Sequence, residues 1–146
     1  TPKTDWAGKH FHGYILIDAS IENVFNVIRD FKNYPQFMPH IINVDSISID
    51  ENINFRYFLQ LPLGIEYQYE ISEQSYSSPK EAWLSWDIAP WEGNNIIDTW
   101  GQWVITHYDG SSLILVQYQV FTDIGEIPYG FGWIIDLLTK RSCLMY

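Results

Sequence analysis

The sequence predicts an α+β fold: a curved antiparallel sheet of about six to seven strands around one long C-terminal helix, with two short helices after strand 1. Three observations predict it. Between Ile41 and Thr122 apolar residues recur mostly with period two, in runs separated by turn residues. Apolar spacing of the helical kind is confined to Ile21–Phe31 and the last stretch, Tyr129–Tyr146. Successive antiparallel strands favour a meander whose one apolar face must be covered, and only the last helix is long enough to cover it.

The elements follow in chain order. Thr1 to His10 is a short polar stretch, expected as a loose arm. Phe11 to Asp18 is rich in β-formers and makes the first strand. Ser20 is placed as the N-cap of a helix from Ile21 to Phe31, with Ile21, Val24, Phe25 and Ile28 on one face. Pro35 suits the first turn of a second short helix through about Met38, and Pro39 closes it. Strands are expected over Ile41–Asp50, Ile53–Leu59, Ile65–Ser72 and Ala82–Ala89. A long hairpin, Ile96–His107 and Ser112–Thr122, then turns at Asp109-Gly110. Along Ile65–Ser72 one face carries Tyr67, Tyr69 and Ile71, and Glu66, Gln68 and Glu70 are expected on a wet side. The final helix presents Ile134, Leu137, Leu138 and Arg141 as a stripe. No linker or repeat divides the 146 residues, so residues 1–146 are expected to form a single domain.

Composition excludes some partners. The net charge of −10 repels a phosphate backbone, so nucleic acid is not an expected partner. Anionic headgroups are disfavoured likewise, and no apolar run is long enough for stable membrane insertion. The single cysteine, Cys143, cannot form an internal disulfide. With a chain beginning at Thr1, cytoplasmic and periplasmic or secreted locations stay open, as does the oligomeric state. Aromatic residues make up 17% of the chain, enough to fill a core and line an apolar pocket as well.

Few residues form a catalytic pattern. His10 and His12 share a strand face but lack a second ligand pair, so no metal is expected and they read as surface histidines. His40 and His107 fall at element ends, where they suit hydrogen bonds to loop carbonyls. No nucleophile elbow or phosphate loop is present; Gly130-Phe131-Gly132 has too few glycines, and no cofactor is implied. Asp87 and Asp98 alternate away from the apolar positions of their strands and are expected to face solvent. By the same alternation Tyr67, Tyr69, Trp86, Trp103 and Tyr118 point inward, toward Ile134 and Leu138 of the last helix. Several inward phenols and indoles need polar partners: a backbone carbonyl serves any single ring, and a pocket holding ligand oxygens or water serves the group as a whole.

The run from Ile17 to Ile41, with Asp30-Phe31, Tyr34-Pro35 and Phe37-Met38-Pro39, resembles the opening of START-like, helix-grip (SRPBCC) domains. Gly101-Gln102-Trp103 resembles their late-strand G-x-W, and Gly125 to Trp133 their turn into the C-terminal helix. The resemblance covers nearly the whole chain in element order, and its pattern is nearest to the polyketide cyclase/dehydrase and coenzyme Q-binding branches. It implies an internal cavity for a hydrophobic small molecule: a lipid, quinone or polyketide-like compound, bound and carried. Two alternatives stand beside that expectation. A cyclase or dehydratase would need ionisable residues converging in the cavity, and the sequence shows none. A protein-interaction module would have a filled core.

Overall fold

In the computed structural model, which describes residues 9–125, β1 (Lys9–Ile17) leads through Ser20 into α1 (Ile21–Ile28). A 3-10 turn, Phe31–Asn33, runs into α2 (Tyr34–Phe37). Six strands follow: β2 (Ile41–Ile49), β3 (Asn52–Gln60), β4 (Glu66–Ser77), β5 (Glu81–Ile88), β6 (Asp98–His107) and β7 (Ile114–Asp123). They form one antiparallel curved sheet in the order β1-β7-β6-β5-β4-β3-β2. The meander runs from β2 to β7, and β1 returns to pair along the full length of β7. The expected C-terminal helix over Tyr129–Tyr146 lies outside the described residues.

Local chemistry explains the helices. The Ser20 hydroxyl accepts from the Asn23 amide at 3.1 Å, satisfying one of the free donors of the first turn. The apolar stripe Ile21, Phe25 and Ile28 is buried against β5 and β6. The helix stops three residues before the expected Phe31. The Tyr34 hydroxyl donates to the Ile28 carbonyl, and Phe31 is spent on a ring cluster instead. Its centroid lies 4.9 Å from Tyr34 and 4.7 Å from Phe55. Pro35 sits in the first turn of α2, as its fixed φ and missing N–H require.

Register assigns every strand residue to a face. Phe55, Tyr57 and Leu59 of β3 align with Ile71, Tyr69 and Tyr67 of β4 on the inner side. Ala82, Leu84 and Trp86 of β5, Gly101, Trp103 and Ile105 of β6, and Ile114, Val116 and Tyr118 of β7 continue that face. The core is here: Leu84, Trp103, Ile105, Ile114 and Val116 are buried together with Ile21, Phe25, Ile28, Phe31 and Tyr34.

Four expectations need correction. β1 starts at Lys9, inside the expected loose arm, because β7 offers partners as far as Thr122. β6 starts at Asp98, since Ile96 and Ile97 belong to the loop that crosses from β5. β4 runs five residues past Ser72, through the polar stretch Glu73–Ser77, because Glu81–Ile88 needs a partner across a short turn. Finally, the expected wet side of β4 is dry at Glu70, which is 1% exposed, while Glu66 is exposed and Gln68 half-buried.

Glu70 is buried on the outer face, where the loop after β5 folds over the end of β4. Its carboxylate accepts from Arg56 Nε at 2.7 Å and from Asn54 Nδ2 at 2.9 Å. Arg56 in turn lies over the Trp91 ring, 4.3 Å from its centroid. Asn94 and Asn95 act as a surrogate strand along the edge that β5 has left. Their side-chain oxygens accept from the amides of Glu70 and Gln68, both at 2.8 Å. Side-chain carbonyls thereby satisfy backbone donors that a short β5 would otherwise leave unpaired. Removing one partner of such a buried pair costs more than removing both. Arg56→Met is expected to lower stability by about 3 kcal/mol, and Arg56→Met with Glu70→Leu to recover most of that loss, both measured by urea unfolding.

Candidate functional site

The helices cover the inner face unevenly. α1 packs on β5 and β6, and α2 on β2. Beyond α1's footprint the inner face continues as a row across the sheet: Glu73 of β4, Trp86 of β5, Gly101 of β6 and Val120 of β7. A second row holds Ile71, Ile88, Thr99 and Thr122. Trp86 is only half-buried, although it stands on the side of the sheet that carries the core.

Three of the sequence-predicted residues come together. The Trp103 and Tyr118 ring centroids are 4.3 Å apart, and Trp86 and Tyr118 6.2 Å. Trp103 is buried, and Tyr118 is half-buried. Tyr69 belongs to a separate group, stacked on Tyr57 at 5.5 Å beside Phe31 and Tyr34. Tyr67 lies farther along β4, opposite Leu59. Burial pushes the phenols of Tyr67 and Tyr69 above the ordinary tyrosine range, so both stay protonated and can donate. Ile134 and Leu138 lie outside the described residues.

Trp86 depends on a glycine. A Cβ placed on Gly101 would come within 2.3 Å of the Trp86 indole and 2.5 Å of the Gln119 carbonyl oxygen. The indole therefore lies against the bare backbone of the next strand. This gives the Gly101-Gln102-Trp103 motif a physical meaning: the glycine admits one inner-face indole and the tryptophan supplies another.

Glu73 is the residue that sequence reasoning missed. The expected strand stopped at Ser72, so Glu73 received no face. Its register opposite Trp86 puts it inside. Among the inner-face positions of the seven strands it is the sole Asp or Glu. Its Oε2 is buried with no hydrogen-bond partner among the described residues. Loss of water pushes its pKa up to about 7. The available signal was pairing arithmetic. A strand from Glu81 joined by the turn at Ser78–Lys80 needs an equally long partner upstream, which carries the period-two pattern through Glu73.

The other polar candidates stand outside this face. Asp87 is exposed and Asp98 half-buried, both on the outer side. His10 and His12 are exposed, and Gln119 Nε2 donates to His10 Nε2 at 3.0 Å. His107 Nε2 lies 3.1 Å from the Pro79 carbonyl. His40 adopts a left-handed backbone, φ 70°, and its carbonyl accepts from the Gln60 amide.

Comparisons with known proteins agree with this architecture. The sequence model of the polyketide cyclase / dehydrase and lipid transport family matches residues 17–123. No curated protein matches in sequence. Among solved structures, a START superfamily protein from Mycobacterium smegmatis has a TM-score of 0.68 at 14% identity, over 93% of this chain and 90% of its own. A STAR-related lipid transfer protein fragment from Xanthomonas axonopodis gives 0.66 at 17% identity, over 93% and 80%. The Zhui aromatase/cyclase from Streptomyces sp. R1128 gives 0.63 at 10% identity, over 94% and 88%. At these identities the likeness is one of fold.

Two stability measurements probe the site. Gly101→Ala must push the Trp86 ring and a neighbouring backbone oxygen, so it is expected to cost about 2 kcal/mol in denaturant unfolding. The Glu73 carboxyl titrates higher when folded than when unfolded, so the folded state binds the extra proton. Its contribution to stability falls as pH rises from about 4.5 to about 7 and stays low above that. Glu73→Gln is therefore expected to be more stable than wild type at pH 8, by about 1 kcal/mol for a partly solvated group, and to lose that advantage at pH 4. Thermal scans across this range check both sign and window.

Proposed function

The chain belongs to the polyketide cyclase/dehydrase and lipid transport family, and from that membership we propose that it binds and carries a hydrophobic small molecule on the inner face of its sheet. In this reading residues 1–146 are one START-like domain whose long C-terminal helix closes over Tyr67, Tyr69, Trp86, Trp103 and Tyr118, with Ile134 and Leu138 facing them. The lipid, quinone or polyketide-like ligand fills the space between. One observation carries the proposal: α1 and α2 pack on one part of the inner face, and the aromatic and apolar row through Trp86 and Val120 continues beyond them. Taking apolar ligand surface out of water at roughly 25 cal/mol per Å² drives association. A related fold in a protein described as a STAR-related lipid transfer protein supports the same direction.

A second reading, a cyclase or dehydratase acting on a polyketide-like substrate, is favoured by Glu73. A carboxyl with its pKa raised to about 7 is suited to exchange protons near neutrality. One such group among the described residues is fewer than the convergent set that chemistry of this kind uses, which ranks it second.

Native mass spectrometry of detergent-free protein is expected to reveal a co-purifying apolar molecule, and emptied protein to take up Nile red. Trp86→Ala is expected to weaken Nile red binding roughly tenfold without unfolding the protein. Protein that emerges empty and ignores Nile red would instead fit an interaction module with a filled core.

A further inference from the structure

Glu73 also constrains the chemistry of the ligand. Its surroundings on the inner face are Ile71 and Ser75 on its own strand, Trp86 directly opposite, and Leu84 and Ile88 to either side of Trp86. No arginine occupies an inner-face strand position, and the one lysine there, Lys9, stands in the adjoining row beside Thr122, on the edge strand β1, with β7, β6 and β5 between it and β4. The other titratable groups on this face are the phenols of Tyr57, Tyr67, Tyr69 and Tyr118, and His107 at the opposite end of β6. The contrast with Glu70, three positions earlier, is sharp. Glu70 is held by Arg56 and Asn54, whereas Glu73 Oε2 is buried without a partner among the described residues. A buried polar oxygen left unpaired costs stability, and burial here raises the pKa to about 7, so the group is held at a disadvantage until something pairs with it.

Building on the ligand-binding reading, we infer that Glu73 is the polar anchor of the site, and that the ligand is an apolar molecule ending in a hydrogen-bond donor rather than a fatty acid or other anion. The donor, a hydroxyl, phenol or amine, occupies the missing hydrogen-bond position on Oε2. The apolar body of the ligand lies against Trp86 and Tyr118. An anionic head would instead meet a carboxyl with no neighbouring cation among the described residues, in a chain whose net charge is −10. At pH 8, where the carboxyl is ionised and can only accept, the anchor separates an alcohol or hydroquinone from its ether or quinone, since a site built to accept a hydrogen bond rejects the analogue that lacks the donor.

Calorimetric titration with four probes of one skeleton tests the inference: 1-naphthol, 1-methoxynaphthalene, 1-naphthoate and 1-naphthylmethylammonium. At pH 8 wild-type protein is expected to bind naphthol about tenfold more tightly than methoxynaphthalene, with naphthoate weakest. Glu73→Leu is expected to erase the naphthol preference while keeping methoxynaphthalene affinity. Glu73→Gln, which retains a carbonyl acceptor, is expected to keep part of it. Whichever of naphthol and the ammonium probe binds more tightly identifies a neutral or a cationic donor as the natural head group. Equal affinity for naphthol and methoxynaphthalene in wild type would overturn the anchor and leave ligand binding standing. So would a preference that survives Glu73→Leu, which would mean that the protein itself satisfies the carboxyl. Failure of all four probes to bind wild type would overturn the ligand-binding reading.

Discussion

One antiparallel register, unbroken from β3 to β7, determines what the inner face of this sheet can hold. Each strand pair aligns odd-numbered residues of β4 with even-numbered residues of β5 and odd-numbered residues of β6, so Glu73, Trp86 and Gly101 fall in one row. A slip of one residue in β4 would carry Glu73 to water and bring Glu70 inside, exchanging the faces of the whole strand. The irregularity in the sheet's pairing falls between Ile41 and Asn43 of the edge strand β2, away from this row. Fit between strands fixes the register as much as hydrogen bonding does. The Trp86 indole occupies the space that a side chain at position 101 would need, so a shifted β6 would place a bulky residue against it.

The two carboxyls of β4 show how the same residue type takes opposite roles under that register. Glu70 is the more deeply buried and the better satisfied: two side-chain donors face its oxygens, and the loop carrying Trp91, Asn94 and Asn95 seals it. That arrangement ties β3, β4 and the loop after β5 into one unit, which is a structural role. Among the described residues Glu73 has neither counter-charge nor cover of that kind, and nothing in their packing requires an acid there. Glutamine or leucine would suit the same position with less strain on the folded state.

Much of the fold was legible in the sequence because its signals are local. Ser20 caps α1, Pro35 opens α2, Asp109-Gly110 lies in the last hairpin turn, and the period-two pattern gives the strands. The faces of Trp86, Trp103 and Tyr118 followed from alternation alone, and these three rings do meet. What escaped was non-local. The end of α1 depends on a hydroxyl six residues away, from Tyr34. The burial of Glu70 depends on a loop about two dozen residues downstream whose asparagines mimic a strand. The polar stretch Glu73–Ser77 has almost no apolar signal and becomes a strand only because β5 pairs with it. Glu73 was lost with that stretch, so the acid that best distinguishes this inner face was hidden by the segment of weakest pattern.

A buried group that weakens the folded state persists where the same feature has another use. Binding adds stability only to the folded form, by an amount that grows with ligand concentration over the dissociation constant. The inner face combines the two conditions for such an exchange: apolar rings beyond the cover of α1, and one acceptor short of a donor. The rings alone would favour any greasy molecule in proportion to its area. The acceptor makes that preference conditional on the ligand's head group, because pairing Glu73 removes a penalty that an ether or hydrocarbon leaves in place. In the proposed binding reading, selectivity on this sheet thus arises from an unsatisfied oxygen held by strand register, while affinity arises from the aromatic surface around it.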